Sequence, residues 1–306
     1  MKSIEFHAMG SRMLAATDSD TAAAAERLDS VPRWFKVWES RLSRFQSDSE
    51  LSALNQASGV PYPVSDVLWD ALQASLRASR ISDGLVTPTL TPWLEAAGYD
   101  RSFEAVADLG GSPAIVLAPP ARAGAELLLD ARTRSVTLAE GCRLDLGGTA
   151  KGWAADRAAH RLRSLGPCLV DAGGDISVQG PRLDGSGWPV GISDPNRPET
   201  SIELLCLTRG GVATSGRDYH RWIRQGASQH HIIDPRTGLP AATDILTATV
   251  IAPSTVEAEA AAKVALILGS DAALAWLEAH PPLAGLLVLE DGSVRRSRQL
   301  SRFIWR

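Results

Sequence analysis

The sequence predicts an α+β fold, and three observations carry that expectation. Helical stretches and short β-branched strands follow one another without the regular strand–helix alternation of a doubly wound sheet. No segment repeats and no low-complexity linker divides the chain, so 306 residues make one large domain or two intimate parts. With 44% hydrophobic and 22% charged residues, the composition suits a globular chain with a sizeable core.

Residues 4–16 read as a strand or hairpin arm around Met9-Gly10. A helical stretch over 21–45 carries Leu28, Val31, Phe35, Trp38 and Leu42 at helical spacing. Ser47-Asp48-Ser49-Glu50 predicts a capping box, in which the Ser and Glu side chains each satisfy a free backbone N–H, opening a short helix that ends near Asn55. Ser65 opens another helix, with Leu68, Leu72 and Leu76 on one face and Gly84 as its stop. The Pro- and Thr-rich run 86–93 predicts a structured loop. Two strands about a turn are expected over 126–138 and another over 142–146, which leads into the glycine turn 147–152 and a helix to about 165. Strands are then expected over 168–171, 176–179, 188–192, 202–208 and 246–252. Two helices follow, 255–268 and 271–278, and a last hairpin, 285–295, turns at Asp291-Gly292.

The net charge of -4, with no block of like charge, argues against a nucleic-acid partner. The basic tract Arg295, Arg296 and Arg298 reads as a solvated strand edge. Cys142, Cys168 and Cys206 lie far apart, without a CxxC or a Cys/His cluster, which argues against a structural zinc site. Their odd number argues against a disulfide framework. Polar residues interrupt the apolar positions of the N-terminus and no stretch is long and apolar enough to span a membrane. The expectation is a cytoplasmic protein with no membrane segment.

Five segments carry candidate chemistry. Asp145-Leu146-Gly147-Gly148-Thr149-Ala150-Lys151-Gly152 places glycines and a lysine at a helix N-terminus, where free N–H groups suit a phosphate. It matches neither a Walker A motif nor GxGxxG, and a tight turn with a surface lysine is an equal reading. Gly173-Gly174 in the stretch 170–176 reads by itself as a hairpin or bulge. Ala213-Thr214-Ser215-Gly216 offers small hydroxyl residues for a phosphate or ribose. His230-His231-Ile232-Ile233-Asp234 brings imidazole and carboxylate together in a turn-rich segment, suited to proton transfer or to a capped polar turn. Glu259 and Lys263 stand one helical turn apart, the spacing of an ordinary surface pair.

In this order the motifs resemble those of the ApbE-type FAD:protein FMN transferases. The matching residues are Met9-Gly10, Leu42-Ser43-Arg44-Phe45, Ser49-Glu50-Leu51-Ser52-Ala53-Leu54-Asn55, Asp83-Gly84-Leu85-Val86-Thr87-Pro88-Thr89, Asp145 to Gly152 with Asp156, Gly173-Gly174-Asp175-Ile176, Ala213 to Gly216 and His231 to Gly238. The resemblance implies one domain over 1–306 with a T-fold-like core, two intertwined subdomains and FAD in the cleft between them. It implies flavin contacts from Met9, Phe45, Asn55, Leu85, Val86, Thr87, Asp145, Lys151, Thr214, Ser215, Gly216 and Ile233. FMN would pass from FAD to a Ser or Thr hydroxyl of an acceptor flavoprotein, with release of AMP. His231 is the candidate base, Asp234 its orienting partner, and Lys151 the counter-charge to the diphosphate.

The sequence departs from the family at two places. Val86-Thr87-Pro88-Thr89 lacks an acidic residue of the family's pattern. The family's Mg²⁺ ligands are an Asp, a Thr and a backbone carbonyl, and the matching positions here are Glu259, Lys263 and Gly148. An ammonium group cannot ligate a metal and would repel Mg²⁺, so the expectation is that Lys263, paired with Glu259, occupies the cation position itself, with Mg²⁺ in doubt there. Two other readings fit the motifs: a non-catalytic FAD-binding or flavin-carrier protein, and an FAD pyrophosphatase that uses water in place of the hydroxyl.

Overall fold

The computed structural model describes residues 1–57, 59–101, 127–218, 221–224 and 227–306, and it is α+β. The chain divides into two compact units. The first comprises Met1–Trp38, Lys151–Ser215 and Thr243–Arg306; the second comprises Glu39–Ala150 and Gly216–Ala242. Each is assembled from segments distant in sequence.

An eight-stranded sheet organises the first unit. Its order is Lys2–Ala8, Ser11–Thr17, Cys168–Ala172, Ile176–Gln179, Arg209–Gly216, Ile245–Ala252, Ala284–Leu289 and Val294–Arg296. Period-two alternation sorts the side chains into two layers. Val212, Ile251, Leu286 and Val288 face one way and form a core with Trp188, Val190, Leu205 and Leu207 of a separate two-stranded ribbon, Trp188–Asp194 with Arg197–Leu207. Ala213, Val250 and Ala252 face the other way, onto Ala258, Ala261, Ala262 and Leu277 of the helices Thr255–Leu268 and Ser270–Ala279. Covering a side chain such as Leu205 or Leu286 completely contributes roughly 1.5–3 kcal/mol relative to exposure. The first hairpin turns as expected: Met9 and Gly10 take φ of 49° and 68°, between paired Ala8 and Ser11. Two successive positive φ values are the signature of a hairpin turn that matches strand twist.

The second unit holds the helices Glu50–Gln56, Asp66–Ile81 and Thr91–Ala96 and a three-stranded sheet in the order Tyr62–Pro63, Ser135–Leu138, Leu127–Asp130. Leu51, Leu54, Leu68, Leu72, Val136, Leu138, Leu144 and Leu146 are among its buried side chains. Two short ribbons, Arg221–Arg224 with Ala227–His230 and Ile233–Asp234 with Leu239–Pro240, complete it.

Four local expectations are corrected. The stretch 21–45 is two helices, Ala22–Asp29 and Val31–Leu42. Pro32 has no N–H to extend the first helix, and the Ser30 N–H closes it onto the Arg27 and Leu28 carbonyls. The capping box does not form across Ser47 and Glu50. Ser49 is the cap, accepting from Ser52 N at 3.0 Å, while Glu50 reaches Ser65, taking its N–H at 2.5 Å and its hydroxyl at 2.6 Å. The run 86–93 is a loop only to Leu90; Thr91 starts a short helix that tolerates Pro92 in its first turn, where no N–H is needed. Residues 142–146 are not a strand. The Asn55 side chain takes the place of a neighbouring strand, donating to Leu144 O at 3.0 Å and accepting from Leu144 N at 2.8 Å. Glu126, the expected start of the first strand of the 126–138 pair, lies outside the described residues.

The basic C-terminal tract forms solvated ion pairs: Arg295 with Asp271, Arg296 with Glu203 and Arg298 with Glu278. The three cysteines are free thiols. Among the described residues no helix is long and apolar enough to cross a membrane.

Candidate functional site

In the first unit, Lys151 stands in the first turn of the helix Ala150–Leu162, and its Nζ lies 2.6 Å from Asp175 Oδ2. The hairpin at Gly173-Gly174 delivers Asp175 to that place, where it is buried. Burial pushes the Asp175 carboxyl up to about 6. Burial also opposes the charge on Lys151, but the Asp175 and Glu259 carboxylates outweigh it and hold the ammonium above the ordinary lysine range. Lys151 is therefore a cation at neutral pH.

Glu259 is 1% exposed and both of its oxygens are engaged. Oε1 accepts from Lys263 Nζ at 3.1 Å, and Oε2 accepts from Gly152 N at 3.0 Å. A Cβ at Gly152 would stand 2.8 Å from Glu259 Oε2 and 2.9 Å from Thr255 O, so this glycine is required by helix-to-helix approach. Asp156 returns the interaction. It accepts from Thr255 N at 2.9 Å, Thr255 Oγ1 at 2.7 Å and Val256 N at 3.2 Å, and also from Ser177 Oγ at 2.9 Å. The two helices thus cap each other's N-termini, where backbone N–H groups otherwise lack partners. Burial raises the Asp156 carboxyl, and the bonds from Thr255 oppose that rise.

The other first-unit residues marked by the sequence are peripheral to this network. Met9 is half-buried in its turn; Thr214 is exposed and its hydroxyl lies 2.8 Å from that of Thr249; Ser215 is buried.

The second unit builds an aromatic shelf. Phe45 is 40% exposed, so it is not a core residue. Its ring lies 5.5 Å from Tyr99 in an edge arrangement, and Tyr99 stacks on Trp222 at 5.7 Å and 18°. The Arg44 guanidinium covers the Phe45 ring at 4.1 Å, donates to Tyr99 O at 2.7 Å and is paired with Asp145. Asp145 in turn accepts from Gly147 N at 2.6 Å, which shapes the glycine turn. Trp222 is fixed by its Nε1–H on Ala97 O at 2.9 Å. No sequence motif marks Tyr99 or Trp222; only the tertiary fold brings Tyr99 onto Phe45 and Trp222 onto Tyr99.

His231 lies beside this shelf, its ring 6.4 Å from Tyr99. Its neighbour His230 has a different position. His230 is buried, with Nδ1 accepting from Ile232 N at 3.3 Å and Nε2 3.1 Å from Ala241 O. The first bond leaves the proton on Nε2. Burial pushes this imidazole down to about 4, helped by the charges of Arg217 and Arg221, so it is neutral at pH 7.

Asp234 accepts from Arg236 N at 2.9 Å and pairs with the Arg236 guanidinium through both oxygens, which fixes the turn. Ile233 is buried opposite Pro240. Val86 and Thr87 are buried, Leu85 and Gly216 half-buried, and Thr87 Oγ1 lies 3.1 Å from Thr89 Oγ1. Asn55, expected at the flavin, has both polar atoms committed to Leu144 and holds the approach to Asp145.

A divalent metal does not fit the Glu259 position. Lys263 Nζ occupies one carboxylate oxygen and a backbone amide the other, and an ammonium has no lone pair to give. Among the described residues no three His, Cys, Asp or Glu side chains are grouped to hold an ion. The Gly148 and Glu259 ligand set therefore lacks its side-chain partner. Gly148 belongs to the second unit, half-buried in the turn ahead of Ala150.

Comparison with known proteins places this arrangement. A protein of Treponema pallidum (strain Nichols) named FAD:protein FMN transferase is 33% identical over 293 residues, covering 88% of this chain and 79% of that protein. One of the same name from Vibrio cholerae serotype O1 is 30% identical over 269 residues, covering 86% and 79%. The crystal structure of the ApbE protein from Thermotoga maritima superposes with a TM-score of 0.85 at 25% identity, covering 100% of this chain and 99% of that one. The apo form of Pseudomonas stutzeri flavinyl transferase ApbE shares the fold, with a TM-score of 0.79 at 24% identity over 98% and 96% of the two chains. A family model described as the ApbE family matches residues 9–287. This chain belongs to the ApbE family.

Proposed function

We propose that this chain transfers FMN from FAD to a Ser or Thr hydroxyl of an acceptor flavoprotein. The observation that carries this reading is the family match over 9–287, joined to a relative named for that reaction at 33% identity over 88% of the chain. The acceptor oxygen attacks the FMN phosphorus. A new P–O bond forms, the bond from that phosphorus to the bridging oxygen breaks, and the bridging oxygen leaves with AMP. One proton is released from the hydroxyl and needs a base.

We assign that base to His231. The commitment of both His230 nitrogens supports this choice, because His230 is a neutral structural imidazole with no atom to spare. Asp234 acts through Arg236 and the turn it fixes, keeping the segment that carries His231 in place. Lys151 supplies positive charge toward the diphosphate, and Asp175 orients it. The Phe45 ring, backed by Tyr99 and Trp222, offers an exposed aromatic face of the kind an isoalloxazine ring stacks on. Met9, Leu85, Val86, Thr87, Asp145, Thr214, Ser215, Gly216 and Ile233 are the further FAD contacts in this reading.

The relatives' names favour transfer over simple flavin binding and over hydrolysis of FAD. Incubation with FAD and a Ser/Thr acceptor peptide tests the point. The expected product is a peptide heavier by one FMN phosphoester, with one AMP per peptide. Release of AMP and FMN with no change in peptide mass would establish hydrolysis in its place.

A further inference from the structure

We propose that Lys263 is a built-in replacement for a divalent cation, so that this chain works without one. The inference rests on the transferase reading for its activity arm only. Three observations lead to it. Glu259 is a fully buried carboxylate on the Thr255–Leu268 helix, and a buried carboxylate is costly unless it is paired or fully hydrogen-bonded. Lys263, one turn further along the same helix, provides it at 3.1 Å, with its own side chain only 15% exposed. The second Glu259 oxygen holds Gly152 N, the amide next to Lys151 in the first turn of the neighbouring helix.

Two ion pairs, Lys151 with Asp175 and Lys263 with Glu259, share this region with two further carboxyl groups, Asp156 held by the Thr255 and Val256 amides and Asp171 held by Gly174 N. A divalent ion on Glu259 would stand beside the Lys263 ammonium that already holds this carboxylate, like charge against like. Removing Lys263 would leave an unpaired buried carboxylate, whose pull on the Gly152 amide and on Lys151 would then be uncompensated. Lys263 is accordingly a positioning residue. It neutralises and fixes Glu259, and Glu259 fixes the helix start from which Lys151 projects. A metal ion bound to a carboxylate would perform the same fixing, but it would depend on ion supply and on chelators, whereas an ammonium does not.

The test has a binding arm and an activity arm. In the binding arm, Mn²⁺ is titrated into the full-length protein and free Mn²⁺ is followed by electron paramagnetic resonance. The wild type is expected to leave the signal unchanged at stoichiometric ion. The double variant Glu259→Asp with Lys263→Thr, which restores a ligand-type pair, is expected to remove one equivalent. Stoichiometric Mn²⁺ binding by the wild type overturns the inference. In the activity arm, wild-type transfer to the acceptor peptide is expected to be equal in EDTA and in Mg²⁺, and a Mg²⁺ requirement overturns the inference as well. If no transfer occurs in either buffer, the functional reading fails while the Mn²⁺ titration still decides the role of Lys263. Lys263→Arg, which keeps the charge, is expected to retain chelator-independent transfer, whereas a merely structural lysine would show no such link between charge and metal dependence.

Discussion

In the first unit burial raises carboxyl groups; in the second it lowers an imidazole. Asp156, Asp171 and Asp175 are all raised by burial, Asp175 to about 6, while His230 is lowered to about 4. The cause is the same in both units, since a low-dielectric interior penalises whichever form is charged. The consequence for pH runs in opposite directions. A raised carboxyl stabilises the fold fully below its unfolded value of 3.8 and loses that contribution as pH rises through its folded value. A lowered histidine stabilises it fully above 6.5 and loses that contribution as pH falls toward 4. Both units meet buried carboxylates with cations, Lys151 on Asp175 in the first and Arg236 on Asp234 in the second, but the second also keeps a buried imidazole neutral and leaves the Phe45 ring exposed.

The largest expected effect that would break this contrast lies in the second unit. His231→Ala should lower the transfer rate by about 10²–10⁴-fold, the usual worth of a positioned base, with a folding stability within about 1 kcal/mol of the wild type. Quantitative mass spectrometry of the acceptor peptide and urea denaturation measure the two; unimpaired transfer removes His231 from the mechanism. Next comes Asp156→Ala in the first unit. It leaves two helix amides and the Ser177 hydroxyl without their acceptor and the Thr255 hydroxyl with Ile176 O in place of the carboxylate, and should cost about 3 kcal/mol. A urea midpoint unchanged from wild type would mean that water replaces the carboxylate and that the reciprocal caps are dispensable.

Gly152→Ala probes the same helix crossing from the other side. Its methyl would meet the Thr255 carbonyl and Glu259, and the expected loss is about 1–3 kcal/mol, in place of the gain an alanine brings to an open helix position. The pH contrast is sharper still as a local measurement. Between pH 7 and pH 5, His230 should cost the second unit about 2 kcal/mol, from 1.5 pH units at about 1.4 kcal/mol each. Over the same interval Asp175 of the first unit contributes with the opposite sign. Hydrogen exchange corrected for intrinsic rate should thus show amides near 229–233 losing protection and those near 168–177 keeping it; a uniform response would erase the distinction. The smallest effect is Phe45→Ala, where the exposed ring should contribute about 0.5–1.5 kcal/mol to FAD affinity, roughly a 2- to 13-fold change in Kd by calorimetry, and little to stability.

Much of this was legible in order along the chain because it depends on short-range chemistry. Ser65 as a helix cap, the Met9-Gly10 turn and the helix Thr255–Leu268 follow from local propensity, and the Glu259–Lys263 pair follows from helical spacing. The departures from local expectation have local causes as well. Pro32 interrupts a continuous apolar stripe, and Glu50 chooses the next helix's cap over its own. The segment 142–146 has the composition of a strand, yet an asparagine side chain occupies its hydrogen-bonding edge.

The sequence by itself determined the elements, the family motifs and the substitution of Lys263 for a ligand-bearing side chain, because each is set by residue type and by spacing within a few turns. Tertiary structure alone decided which histidine is buried and which glycine is crowded by a second helix. It alone stacked Tyr99 on Trp222 beside Phe45, and it alone made Asp156 and Glu259 exchange caps. The physical reason is that burial and contact at long sequence separation depend on where the chain returns, and local propensity carries no information about that return.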